Sequence, residues 1–262
     1  MNTWIQKSLT LAETSAYVDK LFEIYPIEPN GLRELPENII NELKEAYENK
    51  DNNELFELLL SLDKFPIDHS FMGMLEINKE IRDRNPNTIK KLTDMLFSLS
   101  FEDMIKLCKA PKSSSRQIGP MFKNWLVSKY EFVSKAQFNT ITDRVIFLEG
   151  SDTKLKEYIN DKFDAGLSSP NFKGIDLVFR KADKFYMGEA KLITRSGGTQ
   201  SNQFNLALKI ADLDIDGLNT MGIIDGVPWF INSFKTKINA HSEKNIMSGL
   251  LLTDFISAIE QE

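Results

Sequence analysis

The apolar residues of this chain change their spacing near residue 140, and the change restricts the chain to folds that join helices to a sheet. Before it, apolar residues recur every three or four positions, as one buried helix face requires. Val18, Leu21, Phe22 and Tyr25 form one such set before Pro26, and Ile39, Ile40, Leu43 and Tyr47 form another after Pro36. Leu55, Leu58, Leu59 and Leu62 follow a cap at Asn52 or Asn53. Phe71, Met74, Leu75 and Ile81 predict a further helix, broken at Asn85-Pro86-Asn87. Ile89, Leu92, Met95, Leu96 and Leu99 predict the next, and Ser100 with Asp103 has capping-box spacing ahead of Met104, Ile105 and Leu107. No strict heptad persists, so these stripes read as packing faces rather than a coiled coil.

Ala110-Pro111-Lys112-Ser113-Ser114-Ser115 is the clearest internal loop. Residues 117–132 then predict a helix with Met121, Phe122, Trp125 and Leu126 on its apolar face and Pro120 in its first turn. Beyond 140, short runs rich in branched and aromatic residues predict strands: Val145 to Leu148, Ile175 to Phe179, Phe185 to Leu192 and Met221 to Ile224. Helices are expected over Leu155–Phe163, capped by Ser151 or Asp152, over Gln203–Leu213, capped by Ser201 or Asn202, and over Asn245–Ile259. Alternating helices and strands predict an α/β or α+β fold, with a mixed central sheet flanked by helices. The expected division is a helical N-terminal region over 1–110 and an α/β core with a C-terminal helix over 111–262.

Composition removes several function classes. A single cysteine, Cys108, excludes an intrachain disulfide framework and a cysteine-based zinc site. The two histidines, His69 and His241, lie far apart, and His241 has no visible partner. No run approaches the ~20 apolar residues that span a bilayer, and the N-terminal residues do not read as a signal peptide. No membrane association and a reduced, cytoplasmic location are therefore expected. A net charge of -6 argues against a protein that coats nucleic acid by bulk charge. The segment 171–195 is locally basic, with Lys173, Arg180, Lys181, Lys184, Lys191 and Arg195 against Asp176, Asp183 and Glu189.

That segment also holds the residues suited to chemistry. Side chains two apart on a strand share a face, so Glu189 and Lys191 point together, and a neighbouring strand can bring Asp176 beside them. Two carboxylates with backbone oxygens suit Mg2+. A lysine at that distance can position water or offset negative charge in a transition state, which fits metal-assisted hydrolysis of a phosphodiester. The same residues also fit a hairpin with solvated charge on its wet face. Three details favour chemistry: Asp176 interrupts an apolar run, Glu189 and Lys191 are bordered by apolar and aromatic residues, and the polar loop Ser196-Gly197-Gly198-Thr199-Gln200 follows.

Gly174-Ile175-Asp176 followed by Glu189-Ala190-Lys191 resembles the PD-(D/E)xK nuclease motif, with Ile175 in the place of the usual proline. The stretch from about 113 to 230 resembles the catalytic core of type II restriction endonucleases. The resemblance implies a site-specific double-stranded DNA endonuclease that requires Mg2+, leaves 5′-phosphates and acts as a homodimer. It implies Asp176 and Glu189 as metal ligands with the Ala190 carbonyl, Lys191 near the attacking water, and one further acid, for which Glu149 is the first candidate and Asp152 the second. Candidate DNA contacts are Lys112, Ser114, Ser115 and Arg116 in one loop, and Arg195, Ser196, Thr199, Gln200, Asn202 and Gln203 past the catalytic strand; ordinary solvated loops fit both segments equally. Two other functions remain open at this level: a structure-selective or nonspecific nuclease of the same fold, and a non-enzymatic DNA-binding or interaction protein. No organic cofactor is expected, since the glycines do not form a dinucleotide fingerprint.

Overall fold

The computed structural model describes residues 1–13, 16–26, 33–110, 114–167 and 175–260; for 114–116 it describes the backbone alone. The chain divides into two compact units, one built from Met1–Ile27 with Ser114–Glu262 and the other from Glu28–Ser113. The second unit is thus inserted between two parts of the first.

The inserted unit is helical: α3 (Glu37–Glu48), α4 (Asn52–Leu60), α5 (Met72–Leu75), α6 (Lys79–Asp83), α7 (Pro86–Phe97) and α8 (Phe101–Lys109). The sequence predicts one helix where α5 and α6 lie; two short ones form, with Asn78 capping the second at Ile81 N. Pro36 is the N-cap of α3 rather than a residue of its first turn. Asp51, not Asn52 or Asn53, caps α4 by accepting from Asn53 N and Glu54 N. Ser100 caps α8 as its spacing predicts. The helices close over Leu43, Leu55, Leu59, Leu96, Met104 and Cys108, all buried. Near the two ends of this unit, Arg33 donates from its backbone to Lys109 O at 2.7 Å and from Nη2 to Cys108 O at 2.8 Å.

The other unit is built on a sheet. Its strands are β1 (Phe132–Val133), β2 (Ile146–Leu148), β3 (Leu177–Lys181), β4 (Lys184–Ile193), β5 (Leu218–Gly226) and β6 (Asn245–Met247), side by side in that order. The β2–β3 and β3–β4 pairs are antiparallel, while β1–β2, β4–β5 and β5–β6 are parallel. The sheet is therefore mixed. Parallel neighbours need crossovers, and α10 (Lys135–Thr140), α12 (Gly198–Asp212) and α13 (Asn232–Ala240) supply them. The remaining helices are α1 (Thr3–Ala12), α2 (Tyr17–Leu21), α9 (Ser114–Lys129), α11 (Asp152–Phe163) and α14 (Leu252–Glu260).

Side chains alternate across the sheet and feed two cores. On β3, Leu177 and Phe179 enter one cluster and Val178 the other. Phe147, Phe179 and Tyr186 lie in register on three adjacent strands and stack at 5.0 and 4.7 Å. α12 lies against β5 so closely that a Cβ on Gly222 would come within 2.9 Å of Ala207 O. A residue without a side chain is needed there, and the approach fixes where α12 runs beside the sheet.

Several sequence expectations change here. Pro120 lies inside α9, well past its first turn. α9 ends at Lys129, and Phe132 belongs to β1 instead. α12 begins at Gly198, and its N-cap is Gly197 rather than Ser201 or Asn202. The predicted helix over Asn245–Ile259 is strand β6, a short 3-10 turn at Gly249–Leu251, and α14. Ile246 and Met247 are fully buried beside β5, and that pairing outweighs the local helical spacing. α1 and α2 belong to the sheet-containing unit.

Candidate active site

β3 and β4 form a hairpin whose two-residue turn is Ala182-Asp183, with Ala182 at φ 49°. At the other end of the pairing, Leu177 faces Gly188, and Asp176 N donates to Gly188 O at 3.1 Å. This puts Asp176 beside the turn of chain that carries Glu189, Ala190 and Lys191. Asp176 Oδ2 accepts from Ala190 N at 2.8 Å and from Lys191 Nζ at 2.9 Å. Lys191 Nζ also lies 2.7 Å from Glu189 Oε1. One ammonium therefore bridges two carboxylates. Gly188 is tightly enclosed, with a Cβ there falling 2.8 Å from Met221 Cγ, so the strand before the site has little room to shift.

Glu189 is 4% exposed, and its second oxygen, Oε2, is buried with no hydrogen-bond partner. A buried carboxylate oxygen without a donor is costly in a folded protein. Burial, and then the negative charge of Asp176, raise the Glu189 pKa to about 7, against the opposing pull of Lys191. Burial works to lower the Lys191 pKa, but Asp176 and Glu189 outweigh it and hold the ammonium above its ordinary value.

The Glu189 shift has a consequence for stability. A carboxyl group with a raised folded-state pKa favours the fold while it is protonated, so its contribution is complete below about pH 4.5 and is lost as pH rises through about 7. The size is on the order of 3 kcal/mol. Urea unfolding of the wild type in chelator should show this loss across that window, and Glu189→Gln should flatten it. An equal pH dependence in Glu189→Gln would assign the loss to other groups.

Asp176 and Ala190 border a cavity of about 350 Å3, together with Tyr25, Lys123, Asn124 and Asp152. Asp152, in the first turn of α11, adds to the electrostatic field that raises Glu189. Ser151, not Asp152, caps α11, accepting from Lys154 N. That leaves the Asp152 carboxylate to the cavity. Glu149 is exposed and lines a separate groove of about 940 Å3. The structure thus brings Asp152 into the cavity of Asp176 and leaves Glu149 outside it. The signal in the sequence was position: a first-turn residue on α11 projects differently from one at a strand end.

The wall of the cavity is tied to a second buried acid. Asp225 is fully buried on β5, with Leu192 of β4 as its partner in register. It accepts from Ser248 Oγ at 2.6 Å, Gly249 N at 3.0 Å, Tyr25 OH at 3.1 Å and Tyr17 OH at 3.3 Å. Burial pushes its pKa up, against those hydrogen bonds. Burial and then Asp225 push the Tyr25 phenol well above its ordinary value, so it stays a donor. No local pattern in the sequence marks this cluster.

The candidate DNA contacts are placed unevenly. Lys112 lies outside the described residues. Ser114, Ser115 and Arg116 form the start of α9, with their side chains outside the description. Arg195, Ser196, Thr199, Asn202 and Gln203 are exposed around the start of α12. Gln200 is used internally: its Oε1 accepts from Thr194 N at 2.8 Å and Arg195 N at 2.9 Å, which holds the loop after β4. His241, expected to lack a partner, has Nδ1 2.7 Å from Asp212 Oδ1. Among the described residues, no helix is long and apolar enough to cross a membrane.

The sequence matches the family described as Tsp45I type II restriction enzyme over residues 2–259. The chain belongs to the Tsp45I family. It is therefore a nuclease with a restriction-endonuclease-like core, and the Tsp45I family implies double-stranded DNA as substrate and a divalent-cation-dependent reaction. The non-enzymatic reading is set aside by this membership. Comparisons with curated proteins and with solved structures give no match. Among the described residues, no group of three or more His, Cys, Asp or Glu side chains is arranged as a metal cluster. The donor chemistry nevertheless suits a divalent cation of the kind Tsp45I relatives would use: two carboxylates meet, and one buried oxygen, Glu189 Oε2, has no partner.

Proposed function

We propose that this chain is a site-specific, Mg2+-dependent double-stranded DNA endonuclease that leaves 5′-phosphates and 3′-hydroxyls and acts as a homodimer, each subunit cutting one strand. The observation that carries the reading is the meeting of Asp176, Glu189 and Lys191, with Glu189 Oε2 buried and unpartnered. Asp176 and Glu189 would hold the cation with the Ala190 carbonyl, and Asp152 is the further acid best situated to assist. Bound Mg2+ would supply Lewis acidity and positive charge at the phosphodiester.

The chain's own groups do the rest. Asp176 is held by Ala190 N and Lys191 Nζ, so its free oxygen keeps one orientation. Lys191 offsets the charge of both carboxylates, and on release from one of them its ammonium can orient water or stabilise the phosphorane-like charge that builds during in-line attack. Arg195, Ser196, Thr199, Asn202 and Gln203 offer the hydrogen-bonding groups that phosphates and base edges require, and the start of α9 offers Ser114, Ser115 and Arg116. Gln200 contributes by keeping the first of these segments in shape.

The test is digestion of a long, sequence-diverse duplex with Mg2+ and with chelator. Discrete fragments only with Mg2+ are expected, and sequencing their ends gives the target. A smear would favour a nonspecific nuclease of this fold, cuts confined to branched DNA a structure-selective one. Intact DNA under all conditions from folded protein would overturn the reading.

A further inference from the structure

Among the described residues, Lys123 is the only one that borders both the 350 Å3 cavity of Asp176 and the neighbouring 940 Å3 groove. It lies on the exposed side of α9, whose other side is anchored by buried Phe122, Trp125 and Leu126. Its ammonium donates to Gly150 O at 2.6 Å. That bond is to a neutral acceptor, and among the described residues no carboxylate lies within ion-pair distance of Lys123. The cation is thus steered to one place and its charge left uncompensated. By contrast, Lys135 in the same groove is paired with Asp161 at 3.6 Å. The same cavity is lined by Asp152 and Asp176, carboxylates that repel a phosphodiester.

We propose that Lys123 is a phosphate-binding residue that seats the strand being cut, gripping a backbone phosphate where that strand passes from the groove into the catalytic cavity. This rests on the nuclease reading above. Its role is positioning: it holds substrate against the repulsion of the acids and takes no part in the reacting bonds. Fixing one phosphate also fixes the register of its neighbours along the strand, since consecutive phosphates are joined covalently. The ligand is the phosphodiester backbone itself, so the contact does not depend on base sequence.

The experiment is a salt series. Binding of a short mixed-sequence duplex is measured in chelator for wild type, Lys123→Gln and Lys123→Arg, alongside steady-state cleavage with Mg2+. One lost phosphate contact reduces the slope of log Kd against log salt by about 0.9. Lys123→Gln should show that reduction, with KM raised severalfold and kcat changed little, and Lys123→Arg should restore the wild-type slope. An unchanged slope in Lys123→Gln overturns the proposal, whether or not cleavage falls. If the wild type neither binds nor cuts duplex DNA, the nuclease reading fails first and this proposal with it. A wild type that cuts DNA while Lys123→Gln keeps its slope overturns this proposal alone. Lys123 is exposed, so both variants should unfold at the wild-type temperature.

Discussion

Lys191→Ala is expected to lower DNA cleavage by at least about 10²–10³-fold and to leave the protein folded. Both halves follow from the same geometry. The ammonium is the one cation lying between Asp176 and Glu189, at 2.9 and 2.7 Å. Removing it takes away the group that offsets charge at the reacting centre. It also leaves the buried Glu189 carboxylate facing the half-buried one of Asp176, which by itself would be destabilising. Glu189 relieves that stress, because its pKa already sits at about 7 and rises further without Lys191. One proton then replaces one ammonium. The variant should accordingly match the wild type in thermal stability in mildly acidic solution and fall behind as pH increases. Gel assays of cleavage and unfolding scans at several pH values check both parts. Substantial cleavage by Lys191→Ala would remove this lysine from the reaction. Asp176→Ala should also be inactive, and its affinity for duplex DNA in chelator should hold or rise, since one charge that repels phosphate is gone.

Asp225→Ala has the largest expected effect on stability, a loss of about 3–5 kcal/mol. The carboxylate accepts from three hydroxyls and one backbone N–H, all in the core. Alanine leaves every one of these donors dry and unpaired, and an unpaired buried donor costs more than the hydrogen bond contributed. Asp225→Asn is the control. Its carbonyl oxygen can still serve Ser248 and Gly249, and a tyrosine hydroxyl can turn to accept from the new amide, so the loss should be nearer 1–2 kcal/mol. Chemical denaturation of the two variants separates them. Near-equal stability of Asp225→Ala and wild type would show that the cluster contributes little to holding the fold.

The hairpin that carries Asp176, Glu189 and Lys191 was legible in the sequence because its signals are local. An aspartate breaks an apolar run, and a glutamate and a lysine two apart on a strand share a face. The helices of residues 37–109 were legible for the same reason, since 3.6-residue periodicity needs no knowledge of distant chain. What escaped the sequence depends on partners far away. Asn245–Met247 reads as helix from its own spacing, and becomes a strand because β5 lies beside it. Tyr25 reads as part of an apolar helix stripe with Val18, Leu21 and Phe22, yet its hydroxyl and that of Tyr17 meet an aspartate about 200 positions later. Gln200 reads as a DNA contact because amides suit base edges, but the nearest donors are the backbone N–H groups of its own loop. The choice between Glu149 and Asp152 needed the direction of α11, which only the packed structure supplies.

The ties between residues 2–25 and residues 225–249 also set an order of events during synthesis. Asn2 bonds Asn245, Ser8 bonds Ser248, and Tyr17 and Tyr25 bond Asp225. A ribosome adding ~5–20 residues each second needs roughly 10–45 s to travel from Tyr25 to Ser248. For that interval the first 25 residues emerge with no partner, while Glu28–Ser113 can close on itself early, its two ends joined by Arg33. The wall of the catalytic cavity formed by Tyr25 cannot be fastened until Asp225 and Ser248 have left the exit tunnel. From the addition of Lys191 to that of Ser248 the nascent chain therefore carries Asp176, Glu189 and Lys191 without yet having the fastened wall of the cavity beside them.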